Sequence, residues 1–302
     1  MRRCRIRGPV CKILSTIVNR KLNMLEDFSQ AALVLIGHGS TRNADSGEPV
    51  FQHAAELRRR HIFAEVREGF WKQEPLVVKV LSELREQTIF LVPLFISEGY
   101  FSENAIPQAL GFQVQDSGVL KRLRREASQT FIYARPVGSH SSMTGVLLSR
   151  ARDVIKQFPF PRAPKPQDVT LFIAGHGTEQ NEKSREAVER QVELIRAQNV
   201  YADVQAIFLE EDPRIATCFG RAQTRSIVIV PFFISVGLHV QEDIPVMLGE
   251  PERIVQQRLQ AGQVTWRNPT EKKGKLIWLA PSVGTEKLMA DVIMERVREA
   301  AG

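Results

Sequence analysis

Short apolar runs and amphipathic stretches alternate along the second half of the chain. The apolar runs are rich in β-branched and aromatic residues and lie at 168–174, 202–208, 225–233 and 275–280. Runs of this length, bounded by glycine, proline or charged residues, are typical of strands in a parallel sheet covered on both faces. Residues 182–198 carry apolar side chains at helical spacing among charges, which predicts an amphipathic helix. We also predict a helix after Pro213 and a closing helix over 286–300.

The first half of the chain shows the same order of elements. Its apolar runs, at 33–36, 64–70, 88–95 and 130–134, predict four more strands. Strands that alternate with helices form an open parallel sheet with helices on both faces. The predicted fold class is therefore α/β, with two fused lobes at 31–157 and 168–302. The segment between them, 158–167, contains four prolines and is the natural linker.

The two halves are related by an internal duplication. The segment LVLIGHGSTRN at 33–43 recurs as LFIAGHGTEQN at 171–181, and VPLFISEG at 92–99 recurs as VPFFISVG at 230–237. The offset of 138 residues stays constant, without a gap, from Gly37 to Gly111. Chance matches would not stay in register over this distance, so the sequence indicates two copies of one fold.

The positive charge of the chain is confined to its beginning. The net charge of +7 comes from residues 1–23, which hold seven basic side chains and no acidic one, and the remainder has 34 of each sign. A balanced body has no broad electrostatic footprint for a phosphate backbone, which argues against nucleic-acid binding.

No apolar run is long enough to span a membrane. The three cysteines show no CxxC spacing, so we expect a reduced, cytoplasmic protein.

The basic leader has three interpretations. It resembles a transit peptide, since it is rich in arginine and free of acids. It is equally compatible with a solvated tail or with a start site upstream of the true one at Met24. We favour the start at Met24 because an ordinary acidic linker follows it at once. Residues 1–30 are accordingly assigned to a leader and linker outside the folded lobes.

Three polar side chains of the second half follow three different predicted strands. They are His176 in Gly-His-Gly, Glu210 and His239. Ligands of open parallel sheets bind beyond the carboxyl ends of the strands, where these side chains should meet. Two imidazoles and a carboxylate suit a divalent metal and leave positions open for exchange. Each residue alone has a simpler interpretation, as part of a phosphate-binding turn, a surface histidine or a solvated acidic run.

The first half serves as an internal control for this site. His38 matches His176, but Lys72 stands where Glu210 would be and Phe101 where His239 would be. A protonated lysine cannot coordinate a metal, and phenylalanine has no donor atom. The first lobe has therefore lost a complete ligand set. His38 is then either a structural relic or part of a wall that faces the site.

The ordered motifs resemble the class II sirohydrochlorin chelatases. The pattern is Gly-His-Gly-(Ser/Thr), then a strand ending in FLE, then VPFFISVGLHVQEDIP, on a repeated framework that covers about 31–157 and 167–300. The resemblance implies insertion of Co²⁺ or Fe²⁺ into sirohydrochlorin, with release of two protons, in cobalamin or siroheme synthesis. It implies His176 and His239 as metal ligands and Glu210 as the acidic residue, with Glu211 and Asp212 as alternatives. It implies no prosthetic group, since the divalent metal is a substrate.

The resemblance also leads to expectations about the residues that bind the substrate, about partners and about alternative functions. Sirohydrochlorin is a polycarboxylate, so basic side chains beside the cleft should hold it, and Arg42 and Lys183 are candidates together with His38. We expect a monomer or a homodimer that binds neither nucleic acid nor membrane. The leading prediction is Co²⁺ insertion. The alternatives are Fe²⁺ insertion for siroheme and a catalytically silent protein that binds a tetrapyrrole or metal.

Overall fold

The computed structural model describes residues 27–41, 44–115, 118–178, 182–235, 237 and 239–302, without the side chains of 44–45. The basic leader up to residue 26 and the candidate Arg42 lie outside these residues. Within the described ranges, no helix is long and apolar enough to cross a bilayer.

The described residues of the first lobe form five strands and four α-helices. In chain order they are β1 (Ala31–Gly37), α1 (Glu48–Arg59), β2 (Glu65–Phe70), α2 (Val77–Glu83), β3 (Thr88–Pro93), α3 (Ile106–Ala109), β4 (Leu123–Glu126), β5 (Gln129–Tyr133) and α4 (Met143–Gln157). A π-helical turn, Phe101–Ala105, leads directly into α3. All four strands predicted for this half are present, with ends displaced by a few residues.

The second lobe repeats this order and adds one helix. Its elements are β6 (Val169–Gly175), α5 (Glu182–Arg196), β7 (Asp203–Phe208), α6 (Cys218–Arg221), β8 (Ser226–Pro231), α7 (Ile244–Met247), α8 (Glu252–Gln260), β9 (Thr270–Lys272), β10 (Lys275–Leu279) and α9 (Met289–Ala301). A second π-helical turn, His239–Asp243, leads into α7. The predicted amphipathic helix and the closing helix correspond to α5 and α9.

The two sheets have the same strand order, β2-β1-β3-β5-β4 and β7-β6-β8-β10-β9. Four strands of each sheet are parallel, as predicted, and the fifth pairs antiparallel at one edge. The edge strands β4 and β9 were not predicted. They read LRRE and TEK, so they lack the apolar run that marks the other strands. Each fold unit is thus α/β with a mostly parallel sheet.

The duplication is visible in the structure and contains one insertion. The offset of 138 residues relates every element from β1 to α3 to its counterpart between β6 and α7. After that point the offset becomes 146, as between the starts of β5 at Gln129 and β10 at Lys275. Helix α8 lies in the longer connection of the second lobe and accounts for the change. Pseudo-equivalent residues therefore differ by 138 before this connection and by 146 after it.

Each lobe gives its last helix to the other lobe. Helix α4 packs on β8, β10 and α5 of the second lobe, whereas α9 packs on β3, β5 and α1 of the first. The inward faces of both sheets and these helices form one continuous apolar core, to which Leu33 of β1 and Leu171 of β6 both belong. The outward faces form two separate smaller cores. Burial of this shared core holds the carboxyl ends of both sheets in a fixed relation.

Candidate functional site

The Gly-His-Gly segment of the second lobe turns sharply at the end of β6. A Cβ on Gly175 would lie 2.5 Å from Cγ2 of Val188, so α5 can approach the strand end only beside a glycine. Gly177 has φ of +67°, and a Cβ there would lie 2.5 Å from Cγ of Glu211. Both glycines are required by close packing and backbone conformation, and they leave the His176 side chain between them partly exposed.

The hydrogen bond of His176 fixes which ring nitrogen is available. Its Nδ1 lies 2.9 Å from the carbonyl oxygen of Gly177. A carbonyl oxygen only accepts, so Nδ1 carries the proton and donates it. The lone pair of this neutral imidazole is then on Nε2, which is the atom left to coordinate a metal.

His239 is the first residue of the second π-helical turn. Its Nδ1 donates to Oδ2 of Asp243 at 2.6 Å, across one turn, so its Nε2 is also left with a lone pair. The ring of His239 meets the ring of His176 edge-on, with centroids 4.9 Å apart and planes at 89°. The histidine–carboxylate pair fixes the tautomer and strengthens the imidazole as a ligand. Sequence reasoning missed Asp243, although its spacing of four residues from His239 is a helical signal.

Glu210 is the carboxylate that stands beside the two imidazoles. Its Oε2 lies 3.6 Å from Nδ1 of His176, and its side chain is about half exposed. Glu211, one of the alternatives, turns away and forms an ion pair with Arg185 at 2.9 Å. The carbonyl oxygen of Asp212 also accepts from Arg185. The geometry therefore favours Glu210 over Glu211 as the carboxylate beside His176.

A small recess opens beside these residues. Its volume is about 220 Å³, and it is lined by Glu210, His239, Glu242, Asp243, Met247 and Glu252 among others. Within the described residues no group of three or more histidine, cysteine or acidic side chains already surrounds a common metal position. The site brings together two neighbouring imidazoles and a carboxylate.

The corresponding position in the first lobe has the same shape with different chemistry. Nδ1 of His38 donates to the carbonyl oxygen of Gly39 at 2.8 Å, as His176 does to Gly177. The ring of Phe101 meets His38 edge-on at 4.6 Å and 81°, in the place of His239. Lys72 extends to 5.5 Å from the Phe101 ring. An apolar ring and an ammonium group thus occupy the positions of the second donor and the carboxylate.

The structure describes two of the three candidate substrate-binding residues, Lys183 and His38. Arg42 lies outside the described residues. Lys183, in the first turn of α5, forms an ion pair with Glu186 at 2.7 Å and lines a polar pocket between the lobes. His38 belongs to the first-lobe position, where its ring packs against Phe101.

Comparison with known proteins places both lobes in one family. The sequence model of the CbiX family matches residues 32–154 and 170–300. A protein of Halobacterium salinarum named probable sirohydrochlorin cobaltochelatase is 38% identical over 279 residues, which are 89% of this chain and 91% of that protein. A sirohydrochlorin cobaltochelatase of Methanopyrus kandleri is 27% identical over 142 residues, which are 44% of this chain and 98% of that protein. The second relative thus has about the length of one lobe.

A solved structure shares the two-lobed arrangement. It is a multi-domain protein of Deinococcus radiodurans described as structurally similar to chelatases, with two additional novel domains. The TM-score is 0.69 at 27% identity over 88% of this chain, which spans only 54% of that protein. The chain thus has a duplicated α/β fold with a pair of histidines at the strand ends of one lobe. The chain belongs to the CbiX family.

Proposed function

We propose that this protein is a sirohydrochlorin chelatase that inserts Co²⁺ into the tetrapyrrole with release of two protons. The supporting observation is the asymmetry between the lobes: His176, Glu210 and His239 lie together in one, and His38, Lys72 and Phe101 take their places in the other. One lobe holds two imidazoles and a carboxylate, whereas the other holds a single imidazole beside an apolar ring and an ammonium group. The protein of Halobacterium salinarum, named for cobalt insertion, supports the substrate and the metal.

The two histidines hold the incoming metal in this proposal. Both imidazoles keep their proton on Nδ1, through Gly177 and Asp243, and so turn a lone pair on Nε2 toward the cation. Two protein ligands bind the ion less firmly than a closed set of four, which suits a metal that must be handed on. The pyrrole nitrogens of the substrate then replace water and finally the imidazoles.

Glu210 accepts protons during the transfer. Insertion of a divalent metal displaces two protons from the ring nitrogens, so a base beside the macrocycle is required. Glu210 lies 3.6 Å from Nδ1 of His176 and is about half exposed, so it can pass a proton to solvent. We propose that Glu210, and not Glu211, acts as this base, since Glu211 is already bound to Arg185.

Iron insertion for siroheme is the second candidate function. Imidazole and carboxylate donors accept Co²⁺, Fe²⁺ and Ni²⁺ alike, so the donor set does not distinguish cobalt from iron. The test is an anaerobic absorbance assay in which sirohydrochlorin is mixed with each metal, with and without the protein. Acceleration with Co²⁺ above Fe²⁺ supports the proposal, and the reverse order supports the siroheme function. Binding of the tetrapyrrole without acceleration by any metal contradicts both and indicates a silent carrier.

A further inference from the structure

The pocket between the lobes that contains Lys183 is a separate feature of the surface. Its volume is about 240 Å³, and the inter-lobe pocket, as we call it, is lined by Arg135, His140, Lys183, Arg190, Arg296 and Glu299 among others. Arg135 and His140 follow β5 of the first lobe, Lys183 and Arg190 lie on α5, and Arg296 and Glu299 lie on α9. Helix α5, which carries Lys183 and Arg190, begins six residues after His176.

The floor of the inter-lobe pocket is built from a buried arginine. Arg296 is 3% exposed. Its Nε donates to the carbonyl oxygen of Pro136 at 2.9 Å, its Nη2 donates to Oγ of Ser139 at 2.7 Å, and its Nη1 pairs with Glu299. These bonds hold the guanidinium in one place without help from the side chains at the rim.

The duplication supplies a matched copy of this arginine. The pseudo-equivalent Arg150 donates from Nε to the carbonyl oxygen of Ser282 at 2.9 Å and from Nη2 to Oγ1 of Thr285 at 2.7 Å. Its Nη1 lies 3.4 Å from Glu286, which is nearly buried. In this copy a nearly buried carboxylate comes from the loop before α9, whereas the partner of Arg296 is the more exposed Glu299 on the same helix.

The inter-lobe pocket has lost that carboxylate and gained cations. His140 stands where Glu286 stands in the other copy, and Arg190 stands where Gln52 stands. Arg135 takes the place of Pro281. Over all lining positions the pocket has four cationic and three acidic residues, against two cationic and four acidic at the pseudo-equivalent positions. The pocket-lining positions therefore have a net positive charge, whereas their pseudo-equivalents have a net negative charge.

The rim arginines are the groups available to a ligand. The acidic residues of the pocket are already engaged, because Glu186 pairs with Lys183, Glu299 pairs with Arg296, and Glu98 accepts from Ser139. The side chains of Arg135 and Arg190 donate no hydrogen bond to any residue that the structure describes, and both residues are exposed. Two guanidinium groups that make no side-chain hydrogen bond to the described protein are suited to bind carboxylates in a bidentate manner.

We infer that the inter-lobe pocket binds peripheral carboxylate groups of the tetrapyrrole, with Arg135 and Arg190 as the groups that contact them. The inference rests on the proposed function, because it takes the polycarboxylate substrate from there. Since the pseudo-equivalent positions of the other copy lack these arginines, the pocket also fixes which edge of the macrocycle faces it. It adds recognition residues that neither the duplication nor the metal-binding motifs reveal.

Binding of metal-free sirohydrochlorin, followed by its absorbance, tests this inference without turnover. We expect Arg190→Gln, which copies Gln52, and Arg135→Gln each to weaken binding about tenfold, and the double variant to weaken it further. Arg190→Lys should fall between Arg190→Gln and the wild type. Binding of Co²⁺ alone should stay within about twofold in all of them. Arg152→Gln, an exposed arginine of α4 outside the pocket, is the matched control.

The outcomes separate the inference from the proposed function. Weaker tetrapyrrole binding in the pocket variants, with wild-type binding in Arg152→Gln, supports the inference. Wild-type tetrapyrrole affinity in the double variant overturns it while leaving the chelatase function intact. A wild-type protein that binds sirohydrochlorin but never metallates it overturns the proposed function, and the variants still show whether the pocket holds the carboxylates. A wild-type protein that binds no sirohydrochlorin overturns both.

Discussion

The imidazole ring of His239 lies edge-on to that of His176, with centroids 4.9 Å apart. The relationship between His38 and Phe101 in the first lobe is nearly the same, at 4.6 Å. One backbone framework therefore presents a pair of donors in one lobe and a donor beside an apolar ring in the other. The difference in chemistry lies in two side chains and not in the fold.

This comparison predicts that a second metal site can be restored in the first lobe. The double variant Lys72→Glu/Phe101→His recreates the second-lobe residues on a matching backbone. We expect the number of Co²⁺ ions bound per chain to rise from one to two, measured by equilibrium dialysis. Phe101→Ala, which adds no donor, should still bind one ion. A stoichiometry of one in the double variant would show that the two frameworks are not equivalent.

Asp243 should matter through His239 and not by contact with the metal. Asp243→Asn keeps the size of the side chain but weakens the acceptor for Nδ1 of His239, which lies 2.6 Å away. Loss of such a partner lowers metal affinity about 10- to 100-fold. Titration with Co²⁺ measures the change, with Glu242→Gln as the neighbouring control. Unchanged Co²⁺ affinity in Asp243→Asn would argue against this role.

The neighbouring glutamates should differ in what they affect. Glu210→Gln removes the proposed base, so we expect kcat for metallation to fall about 10²- to 10⁴-fold, the usual range for a general base. Glu211→Gln breaks the ion pair with Arg185 instead. It should lower the midpoint of thermal unfolding and leave kcat close to the wild-type value. Steady-state kinetics and thermal melts of both variants distinguish them. The opposite pattern would assign the proton transfer to Glu211.

His53 should make stability depend on pH. It is buried on α1, and its Nε2 donates to the carbonyl oxygen of Gly284 in the other lobe at 2.6 Å. Burial lowers the pKa of His53 below the ordinary value of 6.5, an effect that Glu56 opposes and that Arg150 and Arg60 reinforce. As the pH falls below 6.5, the unfolded chain takes up a proton that the folded chain does not, so stability is lost.

Thermal melts of the wild type and of His53→Gln between about pH 7.5 and about pH 5.5 test this prediction. The variant loses the packing of the ring, so it should be less stable at the higher pH. Its midpoint should nevertheless fall less steeply with acidification, because glutamine does not titrate. Parallel curves for the two proteins would show that His53 does not carry the pH dependence.

The sequence predicts the parallel strands and the duplication because both rest on local apolar patterns. The edge strands β4 and β9 escape this reasoning, since short polar strands pair at an exposed edge and have no apolar signature. The exchange of α4 and α9 between the lobes also escapes it. An amphipathic helix shows that it will be buried on one face, but not against which sheet.

For the candidate site, the motifs indicate which residue types meet at the strand ends but not how they are held. The three consecutive acidic residues after β7 look equivalent in the sequence. Packing separates them, because Gly177 leaves space for Glu211 and Arg185 binds it there, while Glu210 stays beside His176. Arg135 and Arg190 come from different lobes and are brought together only by the exchanged helices. No spacing in the sequence could reveal that pair.

The most direct test of a chelatase site in the second lobe is anaerobic metallation of sirohydrochlorin with Co²⁺ by the wild type and by His239→Phe. The variant gives the second lobe the residue that Phe101 provides in the first, on an element of the same π-helical geometry. We expect the wild type to accelerate metallation, His239→Phe to lower the rate at least about 100-fold, and Phe101→Ala to keep the wild-type rate. Full activity in His239→Phe, together with loss of activity in His38→Ala, would contradict a second-lobe site and place the site in the first lobe.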